Sequence, residues 1–199
     1  MQNGVLSLSL NRRRSSMGNA IHFGALVMLS SVVGITGQVE AIQLGDGSRA
    51  FVNPPRLLGA VTTSSDVYAW NSTYYFTLQI PEDAGEPLQK VVIVQQEGLD
   101  LDLDYNLKQF VAFEGASYRK RGAPIAIGNV GFDRKNQTVT VSFDPPVVPG
   151  TTVTVGLRPY ANPDTSGVYL FGVTAFPPGE RTRSQFLGFG RLTFYRGRD

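Results

Sequence analysis

Three aspartates at alternate positions, Asp100, Asp102 and Asp104, have the residue type and spacing to do chemistry. In "LDLDLDY" they share one face of an extended strand, and Leu99, Leu101 and Leu103 take the other. Alternate residues on a strand sit ~6–7 Å apart. A straight row therefore cannot close on one ion. An EF-hand loop needs glycine at its sixth position and glutamate at its twelfth. Here those positions are Tyr105 and Val111. Two readings remain: a calcium site that uses part of the row, completed by loop carbonyls, or a solvated acidic face that keeps an edge strand from pairing with other chains.

Absences narrow the chemistry further. The chain has no cysteine, and its single histidine is His22. His22 lies in a segment that reads as a leader. Without His or Cys beyond it, the rest cannot build a Ser-His-Asp triad, a Cys-His pair or a zinc site of the usual N/S type. Histidine is also the usual carrier of acid–base catalysis near neutral pH. What remains is a hydrolase built on two carboxylates ~5–10 Å apart across a groove. Nothing in the sequence singles out such a pair. The chain is expected not to be an enzyme and to need no cofactor.

The basic residues are equally unspecific. Arg119, Lys120 and Arg121 cluster in "EGASYRKRGAP", a charged loop without the glycine-rich strand-to-helix context of a phosphate site. Arg181, Arg183, Arg191, Arg196 and Arg198 lie toward the C-terminus. The leader holds Arg12, Arg13, Arg14 and Glu40. Removing these from 18 basic and 16 acidic residues leaves the signs equal. A neutral mature chain gives no reason to expect nucleic-acid binding. Asn71-Ser72-Thr73 and Asn136-Gln137-Thr138 match the glycosylation sequon; beside a bacterial-type leader both are expected to be chance matches.

The leader has the order of a secretory signal peptide: three arginines, an apolar run over residues 20–35, and Val39-Glu40-Ala41 before a cut. The run is shorter than the ~20 residues of a membrane helix. Residues 1–41 are thus expected to be removed. Residues 42–199 would form one domain with no membrane span, long enough to bury a core.

Pro, Gly, Asn and Asp punctuate residues 42–199 every eight to twelve residues, between short runs of Val, Thr, Tyr and Phe. That rhythm predicts an all-β, immunoglobulin-like antiparallel β-sandwich. Strands are expected near 73–80, 88–96, 99–104, 107–113, 125–132, 137–143, 151–158, 168–176 and 186–195, with one short helical turn near 83–88. "TVTVSF" and "TTVTVGL" alternate cleanly, and the Pro149-Gly150 turn between them suits a hairpin.

Two strands break the alternation. "GVYLFGVTAF" and "FLGFGRLTFY" carry apolar residues on both faces, with glycines interleaved. If they pair, Tyr169, Phe171, Phe189 and Tyr195 are the candidates for an aromatic patch. Either a loop such as 177–185 or 114–124 folds over it, or it is exposed to stack on a sugar or meet a partner protein.

"YYFTLQIPEDAGEPLQKVVIVQ" (74–95), "FVAFEG" (110–115), residues 143–180 and "LGFGRLTFY" (187–195) together resemble a cyanobacterial family of exported proteins, domain-of-unknown-function family 2808. The resemblance spans roughly residues 57–195. It implies a cyanobacterial source and a periplasmic, extracellular or thylakoid-lumen address. It brings no catalytic residues. The expected function is a non-enzymatic cell-envelope or periplasmic module that binds a protein or glycan. The alternatives are a calcium-stabilised adhesion or matrix module and a carboxylate-based polysaccharide hydrolase.

Overall fold

The computed structural model describes the backbone of residues 42–43 and all of residues 47–197. The expected leader and its cut after Ala41 lie outside the described residues. Eleven strands follow in order: β1 (Ile42–Gln43), β2 (Arg49–Ala50), β3 (Arg56–Thr62), β4 (Tyr74–Gln79), β5 (Leu88–Glu97), β6 (Val111–Glu114), β7 (Ile127–Asp133), β8 (Thr138–Val147), β9 (Thr152–Leu157), β10 (Gly167–Phe176) and β11 (Gln185–Phe194). The helical content among the described residues is one 3-10 turn, Leu107–Gln109. None of their helices is long and apolar enough to cross a membrane.

The strands form an all-β antiparallel sandwich, as the sequence predicts. One sheet runs β11-β10-β5-β8-β7 and the other β3-β4-β9-β6, with β1-β2 a separate ribbon. Inward residues of both sheets make one apolar core. Val91 and Ile93, Val139 and Val141, and Val153 and Val155 are fully or almost fully buried. Rings bridge the sheets: Phe171 lies 6.0 Å from Tyr74 and 5.7 Å from Phe76, and Phe194 lies 5.6 Å from Tyr74.

β8 and β9 are not hairpin partners. They belong to opposite sheets, so their Val and Phe faces meet the same core from two sides. The turn between them crosses the sandwich. Gly150 takes φ +83°, and its N–H bonds the carbonyl of Ile80 at the end of β4. β9 also lacks the wet face that its alternation suggests. Thr154 is buried, donates to the Gly115 carbonyl at 2.6 Å, and meets the Thr77 hydroxyl at 2.9 Å.

The loop after β6 covers that side. Tyr118 stacks on Tyr75 at 5.0 Å, and Arg121 donates to the Tyr75 hydroxyl at 2.6 Å. The 114–124 segment therefore shields the four-stranded sheet, not β10 and β11. The 99–104 segment forms no strand, 83–88 forms turns rather than a helix, and 107–113 splits into the 3-10 turn and β6.

β10 and β11 do pair as a hairpin. The interleaved glycines let rings approach the backbone. A Cβ on Gly190 would stand 2.7 Å from the Phe76 ring; Gly98, just after β5, likewise leaves room for the Tyr169 ring of β10. A bulge at Leu187–Gly188 shifts the register, so that Phe186 pairs with Thr174 and Phe189 with Gly172. An odd insertion flips a strand's faces. Phe186 therefore joins Phe189 on the outer face, with ring centroids 5.2 Å apart.

Candidate functional site

The four aromatic candidates do not form one patch. Tyr169 and Phe171 are 0% and 1% exposed and belong to the core. Register explains this correction: Tyr169 pairs with Leu192 and Phe171 with Gly190, both inward positions of β11. Phe189 faces outward on the five-stranded sheet and is 49% exposed. Tyr195 is exposed at the end of the sandwich, where it bridges to Asp66.

The aspartate row is also dispersed. Gln95 Nε2 donates to the Asp100 carbonyl, and the Asp100 carboxylate receives the N–H of Asp102 at 3.0 Å and of Asp164 at 3.2 Å. Asp102 and Asp104 both pair with Arg134. Only Leu103 of the three leucines is buried, so the segment runs as an irregular loop with one leucine anchored in the core. No group of three His, Cys, Asp or Glu able to hold a metal occurs among the described residues.

A different group converges at one end of the sandwich. Residues 158–163 run between two other segments. On one side Trp70 bridges to Ala161, and Tyr68 N–H bonds the Pro163 carbonyl at 3.0 Å. On the other side Tyr105 bridges to Pro159, and the N–H of Asn106 and of Tyr160 bond the carbonyls of Arg158 and Asp104. Three loops are thus stitched into a small platform on the rigid core.

Buried side chains fix that platform. Asn162 is 4% exposed. It accepts from the Tyr74 hydroxyl at 3.0 Å and donates to the carbonyls of Ser64 and Asp66 at 3.0 and 2.7 Å. Burial raises the Tyr74 phenol far above its ordinary range, so it stays a donor. The turn beside it is strained. Tyr68 and Asn71 adopt φ +57° and +66°. Asparagine tolerates this left-handed region and tyrosine does not.

The platform carries a cleft of about 230 Å3 lined by Trp70, Asn71, Asn106, Gln109, Arg158 and Tyr160, with Pro159. Trp70, the chain's only tryptophan, is 79% exposed, and Tyr160 is 60% exposed. Tryptophan is highly buried on average, so a ring standing in water on a fixed loop is informative. Asn106 begins the 3-10 turn without capping it through its side chain. The cleft thus combines flat rings with amide and guanidinium groups. It contains no carboxylate, so a two-carboxylate hydrolysis has no acid or base within it. The site is not legible in the sequence, because its parts come from three separate loops.

No curated protein matches the chain in sequence. Among solved structures, one similar chain comes from the report of a manganese lipoxygenase of Gaeumannomyces graminis and a partial zonadhesin of Komagataella pastoris. It shows 8% identity, a TM-score of 0.42, and coverage of 72% of this chain and 50% of that one. This chain thus spans about half of its length. The collagen-binding domain of a Staphylococcus aureus adhesin aligns at 7% identity and TM-score 0.37, covering 69% and 96%. The bacterial hydrophobin BslA aligns at 13% identity and TM-score 0.40, covering 74% and 98%. At such scores no property of those proteins carries to this chain. The family model described as protein of unknown function DUF2808 matches residues 48–194, and the chain belongs to that family.

Proposed function

We propose that this protein is an exported, non-enzymatic β-sandwich module that binds a glycan through the Trp70–Tyr160 cleft. The carrying observation is Trp70 itself, 79% exposed at the mouth of a cleft with polar side chains. Trp, Tyr and Arg dominate binding hot spots, because each offers a broad rigid face or a fork of donors at low entropic cost. A sugar ring presents an apolar C–H face to stack and hydroxyls for amides to bind. The cleft is smaller than the ~300–1,000 Å3 of sites that engulf a drug-sized ligand. It suits one ring, with the remainder of a chain running outside.

The arginine cluster, apolar run and Val39-Glu40-Ala41 support export, and an envelope glycan is a ligand met there. The absence of Cys and of any His after His22 supports a binding role over catalysis. The test is a glycan array probed with the purified chain and with Trp70→Ala. Retention of a defined set of glycans by the wild type, and its loss in a variant with an unchanged melting curve, is expected. Identical retention by both proteins contradicts the proposal.

A further inference from the structure

We infer that the sugar held in this cleft is acidic, a ring bearing a carboxylate or sulfate group, and that Arg158 reads its charge; this rests on the cleft being a glycan site. A guanidinium offers five N–H donors in a fixed plane. Nη1 of Arg158 donates to the Asn71 carbonyl at 2.7 Å and to the Thr73 hydroxyl at 3.0 Å. Nη2 donates one hydrogen to Asn71 Oδ1 at 2.8 Å. The Nε–H and the second Nη2–H have no protein acceptor among the described residues. Those two donors lie side by side on one edge of the plane. That edge is the fork that grips a carboxylate or sulfate with two parallel bonds.

Charge points the same way. All three of Arg158's acceptors are neutral groups. The ion pairs among the described residues join Arg49 to Glu86 and Arg134 to Asp102 and Asp104, leaving Arg158 with no carboxylate partner. None of the cleft's lining residues is acidic. A half-buried guanidinium already held by three bonds has little more freedom to lose on binding. An anionic ligand supplies the counter-charge that the protein does not.

The test is calorimetric titration of the wild-type protein with three probes of similar length: an oligogalacturonate, a sulfated dextran oligosaccharide and a neutral dextran oligosaccharide. Either acidic probe is expected to bind at least about tenfold more tightly than the neutral one, as hydrogen bonds to charged groups do. Whichever acid binds better identifies the group as carboxylate or sulfate. Arg158→Lys, which keeps the charge but loses the fork, is expected to lose most of that preference. Trp70→Ala is expected to weaken all probes alike. Equal affinity for all three overturns the acidic inference and leaves the glycan reading standing. Binding of none, by a protein that also retains no glycan on the array, overturns both; binding of none beside retention of neutral glycans alone on the array overturns the acidic inference. A preference that survives in Arg158→Lys removes Arg158 as its source.

Discussion

Arg158 grips Asn71 through both terminal nitrogens, at 2.7 Å to its carbonyl and 2.8 Å to its side-chain oxygen. Arg158 directly follows β9, and Asn71 carries a left-handed turn at φ +66°. Replacing Asn71 by aspartate keeps the geometry and places a carboxylate against the guanidinium. Aspartate also tolerates the left-handed region. Asn71→Asp is therefore expected to change stability by less than ~1 kcal/mol, since a partly exposed ion pair is worth little. It is expected to abolish any preference for acidic over neutral saccharides. Thermal melts and the same titrations check both.

Asn162 is the anchor beneath the cleft. Asn162→Ala leaves the Tyr74 hydroxyl and two carbonyls without their partner. Unsatisfied buried groups cost ~1–3 kcal/mol. A loss of about 2–3 kcal/mol in urea unfolding is expected, accompanied by weaker ligand binding.

The aromatic residues of β10 and β11 divide by face. Phe171→Ala empties a core site and is expected to cost ~3–5 kcal/mol. Phe189→Ala removes a half-exposed ring and is expected to cost under ~1 kcal/mol. Denaturation midpoints of the two variants give the comparison. Similar losses would contradict the register that places them on opposite faces.

Stability should fall on the alkaline side. Burial raises the phenols of Tyr74 and Tyr105 well above their ordinary value near 10. Above ~pH 10 the unfolded chain loses phenolic protons that the native state keeps. Each such tyrosine lowers stability by up to ~1.4 kcal/mol per pH unit there and contributes no pH dependence below that range. On the acid side, the Asn136 side-chain hydrogen bond holds Asp133 below the ordinary carboxylate value. Its contribution is present above that value and fades as pH falls through the carboxylate range. With no histidine after His22, little change is expected between about pH 6 and 9. Absorbance titration of tyrosine alongside circular dichroism checks the alkaline limb; Tyr74 and Tyr105 should ionise only as the fold is lost.

The sandwich was legible because β4, β5, β8, β9, β10 and β11 carry a period of two or dense β-branched and aromatic residues. Strand pairing was less legible. Val139, Val141, Val153 and Val155 point inward whether β8 and β9 share a sheet or face each other, so local alternation cannot tell a hairpin from a crossing. The Leu187–Gly188 bulge changed which ring faces out, and alternation cannot reveal an extra residue. Asp100, Asp102 and Asp104 alternate as a strand would, yet Arg134, Gln95 and the N–H of Asp164 hold them in a loop. Arg134 is 30 residues from Asp104 in the chain. Trp70 offered one signal: a lone tryptophan in "DVYAWNS", outside any alternating run. Its cleft partners come from residues 106–109 and 158–160, joined by contacts that no spacing records.

Trp70 is also its own reporter, since the chain has one tryptophan. The most direct measurement is its fluorescence during titration with glycans retained on the array. A water-exposed emission in the free protein is expected, followed by a saturable blue shift or quench whose midpoint matches calorimetry. Calorimetric glycan binding with the emission unchanged would place the ligand elsewhere and contradict the Trp70 cleft as the site.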